Sequence, residues 1–261
     1  MTSLPFSQPH SAAQQTSTSL DRVPGAMTRT HFRISLLAAL ALFVTTWAGT
    51  ASAHGQALVI APTQTLVALT TSHSAYAQPD ATSKRVGSVQ AERPITATQT
   101  VLPVLATQND WLQVRLPGRP NSHTGWINVA GTVAQTTHWH LVVKTATRRV
   151  VVYRDGKAIR TFKAIVGKPS TPTPHGEFFV EESIALGPND VGAPFALALS
   201  ARSNVFHEFS GGPGQVAMHG LVHVGGVLGT AESHGCIRLA NSTVRWLAYR
   251  ISPGVPVTIT S

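Results

Sequence analysis

Short apolar runs that alternate with polar residues are the feature that most constrains how this chain can fold. Residues 112–116 (Leu-Gln-Val-Arg-Leu) and 255–259 (Val-Pro-Val-Thr-Ile) show this period of two, which is typical of half-buried strands because successive side chains point to opposite faces of a sheet. Asp155-Gly156 lies between two runs rich in β-branched residues, a pattern that predicts a hairpin. The 21 glycines and 17 prolines supply further turns. The sequence therefore predicts a mainly β protein.

One segment has the apolar spacing of a helix, and it follows the chain's single cysteine. Its apolar positions, spaced i, i+3, i+4 and i+7, are Val244, Leu247, Ala248 and Ile251. Asn241 or Ser242 is available as the N-cap, and Pro253-Gly254 would end the helix. We therefore expect one helix after Cys236.

The formal net charge of +9 raises the question of a nucleic-acid partner. The basic residues are scattered, without a Lys/Arg-rich run or an aromatic-interleaved RNA or DNA motif, so we predict no nucleic-acid binding. Charged residues make up only 12% of the chain, which excludes a charge-rich disordered protein.

A targeting segment begins at Met27. It has a positive region, an uncharged run at residues 34–49 and the cleavage pattern Ala-Ser-Ala at residues 51–53. We predict a signal peptide cleaved after Ala53, and hence an exported protein of the cell wall or periplasmic space with no membrane span after cleavage. The alternative is an uncleaved anchor, although the run is shorter than the roughly 20 residues that a spanning helix needs.

The texture of the sequence changes near residues 132–138, and we place a domain boundary there. Residues 1–53 then form an extension with the signal peptide, residues 64–132 a first domain and residues 138–261 a second. The first domain resembles a bacterial SH3-like domain, a small β-barrel, in three motifs: Ser-Ala-Tyr-Ala-Gln-Pro at 74–79, Asp-Trp-Leu-Gln-Val at 110–114 and Gly-Trp-Ile at 125–127.

Cys236 is the only cysteine, so no intramolecular disulfide can form, and an unpaired thiol in an exported protein needs a chemical reason. A nucleophilic cysteine acts as the thiolate, whose formation a neighbouring imidazolium favours. His234, two residues away, and His219, brought in by a neighbouring strand, are both candidates for this partner. Gly235 would let a substrate approach the backbone, and consecutive N–H groups there could hold an oxyanion. These features predict covalent catalysis.

The complete string is more specific than its parts. His219-Gly220 followed by Ser-His-Gly-Cys-Ile-Arg-Leu at residues 233–239 resembles the signature of the L,D-transpeptidases, the YkuD-like cell-wall enzymes. Residues 150–157 and 166–178 also match, so the resemblance covers residues 138–260. It implies a β-sandwich catalytic domain with one helix after the catalytic cysteine.

The resemblance also implies catalytic roles. Cys236 would be the nucleophile and His219 its proton partner, oriented by the carbonyl of Gly220. The neighbouring loop departs from the family pattern, because many relatives have Thr and Asn after the first His-Gly whereas residues 221–226 here read Leu-Val-His-Val-Gly-Gly. This departure concerns the preference for the acyl donor and leaves the catalytic pair unchanged.

Binding roles follow from the same resemblance. The backbone N–H groups of His234, Gly235 and Cys236 would form the oxyanion hole, and Ser233 and Arg238 would shape the substrate pocket.

A zinc site is the competing interpretation of the histidines. His223, four residues after His219, could join His234 and Cys236. The flanking residues are rich in Gly and Val rather than helical, and the string lacks a carboxylate at a zinc-site spacing. We therefore predict neither a metal nor a cofactor.

The implied substrates are peptidoglycan stem peptides. The resemblance implies a thioester acyl-enzyme that forms 3-3 cross-links, with carbapenem β-lactams as covalent inhibitors. Two alternatives remain open at this point. The same residues would serve an L,D-carboxypeptidase that uses water as acceptor, and the chain could act mainly as a wall-binding protein through its SH3-like domain.

Overall fold

A computed structural model describes residues 58–208 and 212–261. The predicted signal peptide and its cleavage site after Ala53 lie outside these residues. No helix in the described part of the chain is long and apolar enough to cross a membrane.

The first part of the described chain is a single sheet of seven strands. Its strands are β1 (Gln64–Leu69), β2 (His73–Tyr76), β3 (Arg85–Val89), β4 (Val101–Gln108), β5 (Trp111–Arg115), β6 (Thr124–Asn128) and β7 (Thr132–Thr137). They are ordered β3-β2-β6-β5-β4-β1-β7. Val67, Leu102, Val114 and Ile127 are buried together on one face. We refer to residues 64–137 as the N-terminal half.

The second part, residues 138–261, is the C-terminal half. Its elements are β8 (Trp139–Lys144), β9 (Arg149–Arg154), β10 (Lys157–Lys163), β11 (Val166–Gly167), β12 (Gly176–Ala185), β13 (Phe195–Arg202), β14 (Gln215–His219), β15 (Ala231–Ser233), β16 (Ile237–Arg238), α1 (Asn241–Ala248) and β17 (Pro256–Thr260). Eight strands form a sheet in the order β10-β9-β8-β17-β12-β13-β14-β16, and β11 pairs with β15. The prediction of a mainly β protein whose catalytic part is a β-sandwich is confirmed, and α1 is the only helix among the described residues.

Local signals in the sequence specify several of these elements. Asp155 and Gly156 have positive φ angles of 51° and 73° and join β9 to β10, as the hairpin pattern predicts. On α1, Val244 and Leu247 are fully buried in the core of the C-terminal half, because apolar residues three apart share one face of a helix.

The predicted N-cap of α1 was wrong. The helix begins at Asn241, the N-cap residue is Ala240, and no side chain caps the first turn. The side-chain oxygen of Asn241 accepts a hydrogen bond from the amide of Leu221 instead, at 2.8 Å. Asn241 therefore stabilises the turn that follows β14 rather than its own helix.

Strand β12 contributes to the cores of both halves. Phe178 is buried in the core of the C-terminal half, whereas Phe179 is buried in the core of the N-terminal half. Neighbouring residues of a strand point to opposite faces, so β12 packs against both cores at once. The cores of the two halves thus lie on opposite faces of the same strand.

Candidate active site

Two short parallel strands bring the histidine and the cysteine together. His219 is the last residue of β14, and Cys236 directly precedes β16. The strands pair in parallel with Met218 opposite Ile237, which places Cys236 beside Ala217, two residues before His219 on the neighbouring strand. His219 and Cys236 both line one cavity of about 350 Å³.

The imidazole of His219 has a defined tautomer. Its Nδ1 lies 2.8 Å from the carbonyl oxygen of Gly220. A carbonyl can only accept, so Nδ1 carries the proton and Nε2 keeps its lone pair. Burial lowers the pKa of His219, the bond to Gly220 opposes that shift, and the charge of Arg238 lowers the pKa further. The ring is therefore neutral at neutral pH and ready to accept a proton at Nε2.

The pKa of the Cys236 thiol is shifted in the direction that favours its neutral form. Burial raises its pKa above the ordinary value, while a hydrogen bond from the amide of Ala217 and the charge of Arg238 oppose that shift. The sequence led us to expect a thiolate held by an imidazolium. The directions of the two pKa shifts instead favour a neutral thiol beside a neutral imidazole, a pair in which the proton would pass to His219 during attack on a substrate.

A tight turn at residues 233–236, the nucleophile turn, presents the cysteine. Ser233 is completely buried; its hydroxyl donates to the carbonyl of Cys236 at 2.6 Å and accepts from the amide of Gly235 at 3.2 Å. Gly235 has φ +119°, a conformation that residues with a Cβ rarely adopt. Ser233 thus braces the turn, and it does not line the cavity.

The Pro- and Thr-rich loop between β11 and β12 supports this turn from below. The buried hydroxyls of Thr171 and Thr173 donate to the carbonyls of Ser233 and Gly235, at 3.2 and 2.9 Å. Thr173 also accepts from the amide of Gly167 at 2.9 Å. No role was assigned to these threonines from sequence; the signal that could have indicated one is the run of Thr and Pro at residues 169–174.

The backbone amides of the site divide into engaged and free groups. The amide of Gly235 donates to Ser233, and that of Gly220 donates to the carbonyl of Gly192 at 2.7 Å. Neither the His234 amide nor the Cys236 amide donates to another described residue. These two amides are the ones available to a bound oxyanion.

Close backbone packing holds the imidazole of His219 in place. Gly192 has φ +84°, and a Cβ there would lie 2.7 Å from Nδ1 of His219. A Cβ on Gly220 would clash with the carbonyl of Ala193 and would lie 2.7 Å from the side-chain oxygen of Asn241. The imidazole therefore rests against backbone on which no larger residue fits.

The remaining polar residues lie around the cavity rim. Arg238 lines the cavity and donates to the carbonyl of Val224 at 3.2 Å. His234 is exposed, with its ring centroid 6.1 Å from that of Phe206. His223 is exposed and has φ 57°. Residues 58–208 and 212–261 contain no cluster of three or more histidine, cysteine or carboxylate side chains arranged to hold a metal.

Comparison with known proteins shows which family the C-terminal half resembles. The family described as YkuD, the L,D-transpeptidase catalytic domain, matches residues 138–259. A YkuD L,D-transpeptidase of Bacillus licheniformis is 30% identical over 125 residues, which cover 48% of this chain and 67% of that protein. This chain belongs to the L,D-transpeptidase family.

Other relatives of the L,D-transpeptidase family match with lower identity. L,D-transpeptidase 1 of Mycobacterium tuberculosis is 28% identical over 130 residues, 45% of this chain and 49% of that protein. The chain thus spans about half the length of the first curated relatives it matches. A solved structure of the L,D-transpeptidase LdtMt1 in complex with imipenem has 20% identity and a TM-score of 0.40, covering 62% of this chain and 91% of that chain.

Proposed function

We propose that this chain is a peptidoglycan L,D-transpeptidase that forms 3-3 cross-links through a thioester on Cys236. The observation that carries the proposal is that the neighbouring strands β14 and β16 bring His219 and Cys236 into the lining of one cavity. Membership of the family supplies the substrate class, the stem peptides of peptidoglycan.

Acylation begins from the neutral pair. As Sγ of Cys236 approaches the carbonyl carbon between the third and fourth residues of a donor stem, its proton passes to Nε2 of His219. The S–C bond forms and the carbonyl oxygen gains the negative charge. Collapse of this intermediate breaks the C–N bond, and His219 returns the proton to the amine of the departing D-alanine.

Transfer repeats these steps in reverse. The side-chain amine of a neighbouring stem attacks the thioester and loses a proton to His219. The C–S bond breaks, Cys236 recovers its proton, and a 3-3 cross-link is formed. Water in place of the amine would give the L,D-carboxypeptidase reaction with the same residues.

Charge stabilisation falls to the backbone of the nucleophile turn. We assign the oxyanion to the free amides of His234 and Cys236, with Gly235 supplying the φ angle that aims them. The Ala217 amide, which donates to the sulfur, stabilises the thiolate as it develops. Arg238 is the substrate-binding cation of the cavity.

We also propose where the enzyme is located, what the N-terminal half is and which inhibitors react with it. We expect export through the signal segment to the cell wall or periplasmic space, where the substrate is found. The N-terminal half is proposed to be an SH3-like domain. Carbapenems should acylate Cys236, because a thiolate beside oxyanion donors opens a strained β-lactam as it opens an amide.

Product analysis tests the proposal directly. Purified protein is incubated with a stem tetrapeptide, and the products are identified by mass spectrometry. A cross-linked dimer with released D-alanine is expected, and no product is expected from the Cys236→Ala variant. Tripeptide without dimer would identify a carboxypeptidase. Binding to whole sacculi without any turnover would identify a wall-binding protein.

A further inference from the structure

A loop of the N-terminal half reaches the catalytic cavity. Between β5 and β6, the guanidinium of Arg119 donates to the carbonyl of Ser203 at 2.9 Å and to that of Phe206 at 3.1 Å. Ser203 and Phe206 both line the cavity that contains Cys236. We refer to Ser203 and Phe206 as the cavity wall. One arginine thus holds two points of this wall from outside the C-terminal half.

A second residue of the same loop fixes the strand that leads into the wall. The side-chain amide of Asn121 donates to the carbonyl of Arg202 at 2.7 Å, and the amide of Arg202 donates back to the Asn121 side-chain oxygen at 2.8 Å. This reciprocal pair imitates a strand partner where β13 ends. Asn121 and Arg119 together are called the clamp.

A buried ion pair also holds Arg202, the last residue of β13. Glu181 is fully buried; it pairs with Arg202 at 3.0 Å and also with Arg93 of the N-terminal half. Burial lowers the pKa of Arg202 to about 10, so the guanidinium stays charged at neutral pH. Removing one partner of a buried pair is costly because the other charge is left uncompensated. The end of β13 is therefore tied to the N-terminal half on two sides.

Hydrogen bonds join the two residues of the cavity wall, and the wall contacts the nucleophile turn. The hydroxyl of Ser203 accepts from the amides of Val205 and Phe206 at 3.2 and 3.0 Å, which joins the two wall residues. The Phe206 ring packs against the ring of His234, two residues before Cys236. A shift of the wall would therefore change the shape of the cavity beside the nucleophile.

We propose that Arg119 and Asn121 are positioning residues through which the N-terminal half sets the substrate-binding wall of the catalytic cavity. This inference rests on the proposed function for the identity of the substrate. The wall contributes no group that takes or gives a proton. The clamp should therefore control how well a stem peptide binds, while the reactivity of the thiol depends on His219 and the nucleophile turn.

The experiment uses the full chain with Arg119→Ala, Arg119→Lys and Asn121→Ala. Arg85→Ala is the matched control, since Arg85 is an exposed arginine of the N-terminal half that donates only to the carbonyl of Gly87. Three readouts are taken: kcat and KM for the stem tetrapeptide, the rate of Cys236 alkylation by iodoacetamide, and hydrogen exchange of the amides at residues 203–206.

If the clamp positions the cavity wall, KM and hydrogen exchange should change in its variants while kcat and the alkylation rate should not. For Arg119→Ala, KM should rise roughly 5- to 30-fold, the effect expected for loss of charged hydrogen bonds, and the amides of the wall should exchange faster. The kcat and the alkylation rate should stay within about twofold of wild type. Arg119→Lys should recover part of the KM loss, because an ammonium can reach one of the two carbonyls but lacks the fork.

Several outcomes would overturn the clamp. Unchanged hydrogen exchange at residues 203–206 would show that Arg119 does not hold the wall. Faster exchange with unchanged KM would show that the wall does not bind the peptide, and an equal loss from Arg85→Ala would indicate general destabilisation. If wild type alkylates but does not turn over the tetrapeptide, the proposed function fails, while faster exchange in Arg119→Ala still supports the clamp.

Discussion

The two sides of the catalytic cavity are held by different parts of the chain. The nucleophile turn is braced from within the C-terminal half, by Ser233 and by the buried hydroxyls of Thr171 and Thr173. The cavity wall is held from the N-terminal half, by Arg119 and Asn121. The turn that carries Cys236 and the cavity wall thus have separate supports.

This difference has a physical basis. Chemistry requires the sulfur, the imidazole and the oxyanion donors to keep their geometry closely, and short buried hydrogen bonds within the C-terminal half provide that rigidity. Fit to a peptide depends on a surface, which the N-terminal half can adjust without touching the proposed reacting atoms. We therefore expect substitutions that disturb the nucleophile turn to lower kcat, and substitutions of the clamp to raise KM.

The largest effect is expected at the proton acceptor. Replacing His219 with Ala should slow acylation of Cys236 by a carbapenem roughly 10²- to 10⁴-fold, the usual contribution of a positioned acid–base group. Intact-protein mass spectrometry over time measures the rate, and Cys236→Ala should show no adduct. His223→Ala is the control, because His223 is exposed and lies outside the cavity lining. Equal slowing in the two histidine variants would contradict the choice of His219.

A smaller effect is expected beneath the nucleophile turn. Thr173→Val removes the donor to the buried carbonyl of Gly235, at a cost of about 1–3 kcal/mol for an unsatisfied buried group. Both kcat for the tetrapeptide and the iodoacetamide rate should fall roughly tenfold, with KM within about twofold. Thr136→Val, an exposed threonine of β7, should behave like wild type. A rise in KM with normal alkylation, the pattern expected of Arg119→Ala, would remove the distinction between the two sides.

The smallest effect is expected from a change of pH within the range between the pKa of His219 and the pKa of Cys236. His219 must be neutral to accept a proton, and desolvation places its pKa below 6.5. The thiol must be protonated at the start because its proton is the one that His219 later gives to the departing amine, and desolvation places the pKa of the thiol above 9.0. Activity should therefore be lost only as pH falls below 6.5 or rises above 9.0. From 6.5 to 9.0, kcat/KM should vary by less than about twofold.

The clamp variants sharpen this test. Arg119→Ala should lower kcat/KM at every pH and leave both limbs of the profile where they are, because Arg119 does not touch His219 or Cys236. An acid limb above pH 6.5 in wild type would instead indicate an imidazolium–thiolate pair and contradict the neutral resting site. A limb that moves in Arg119→Ala would show that the wall influences the chemistry.

Much of this protein could be predicted from local sequence. The period-two runs predicted strands, Asp155-Gly156 predicted the hairpin, and the spacing of Val244 and Leu247 predicted the buried face of α1. These predictions succeed because turn geometry and side-chain periodicity depend on residues close together in the chain. The string around Cys236 is local in the same sense, since a tight turn needs its glycine and its serine within a few residues.

Only the tertiary structure decided which partners these residues take. Asn241 is a residue type that often caps helices, yet its side chain accepts a hydrogen bond from the turn after His219. The hydroxyl of Ser233 bonds within its own turn instead of facing the cavity. Arg119 is one of many scattered basic residues in the sequence, and its two acceptors lie in the other half of the chain. Desolvation of the half-buried thiol and imidazole shifts both pKa values toward the neutral forms. Burial and long-range hydrogen bonding depend on how the two sheets pack, and no local pattern in the sequence encodes that packing.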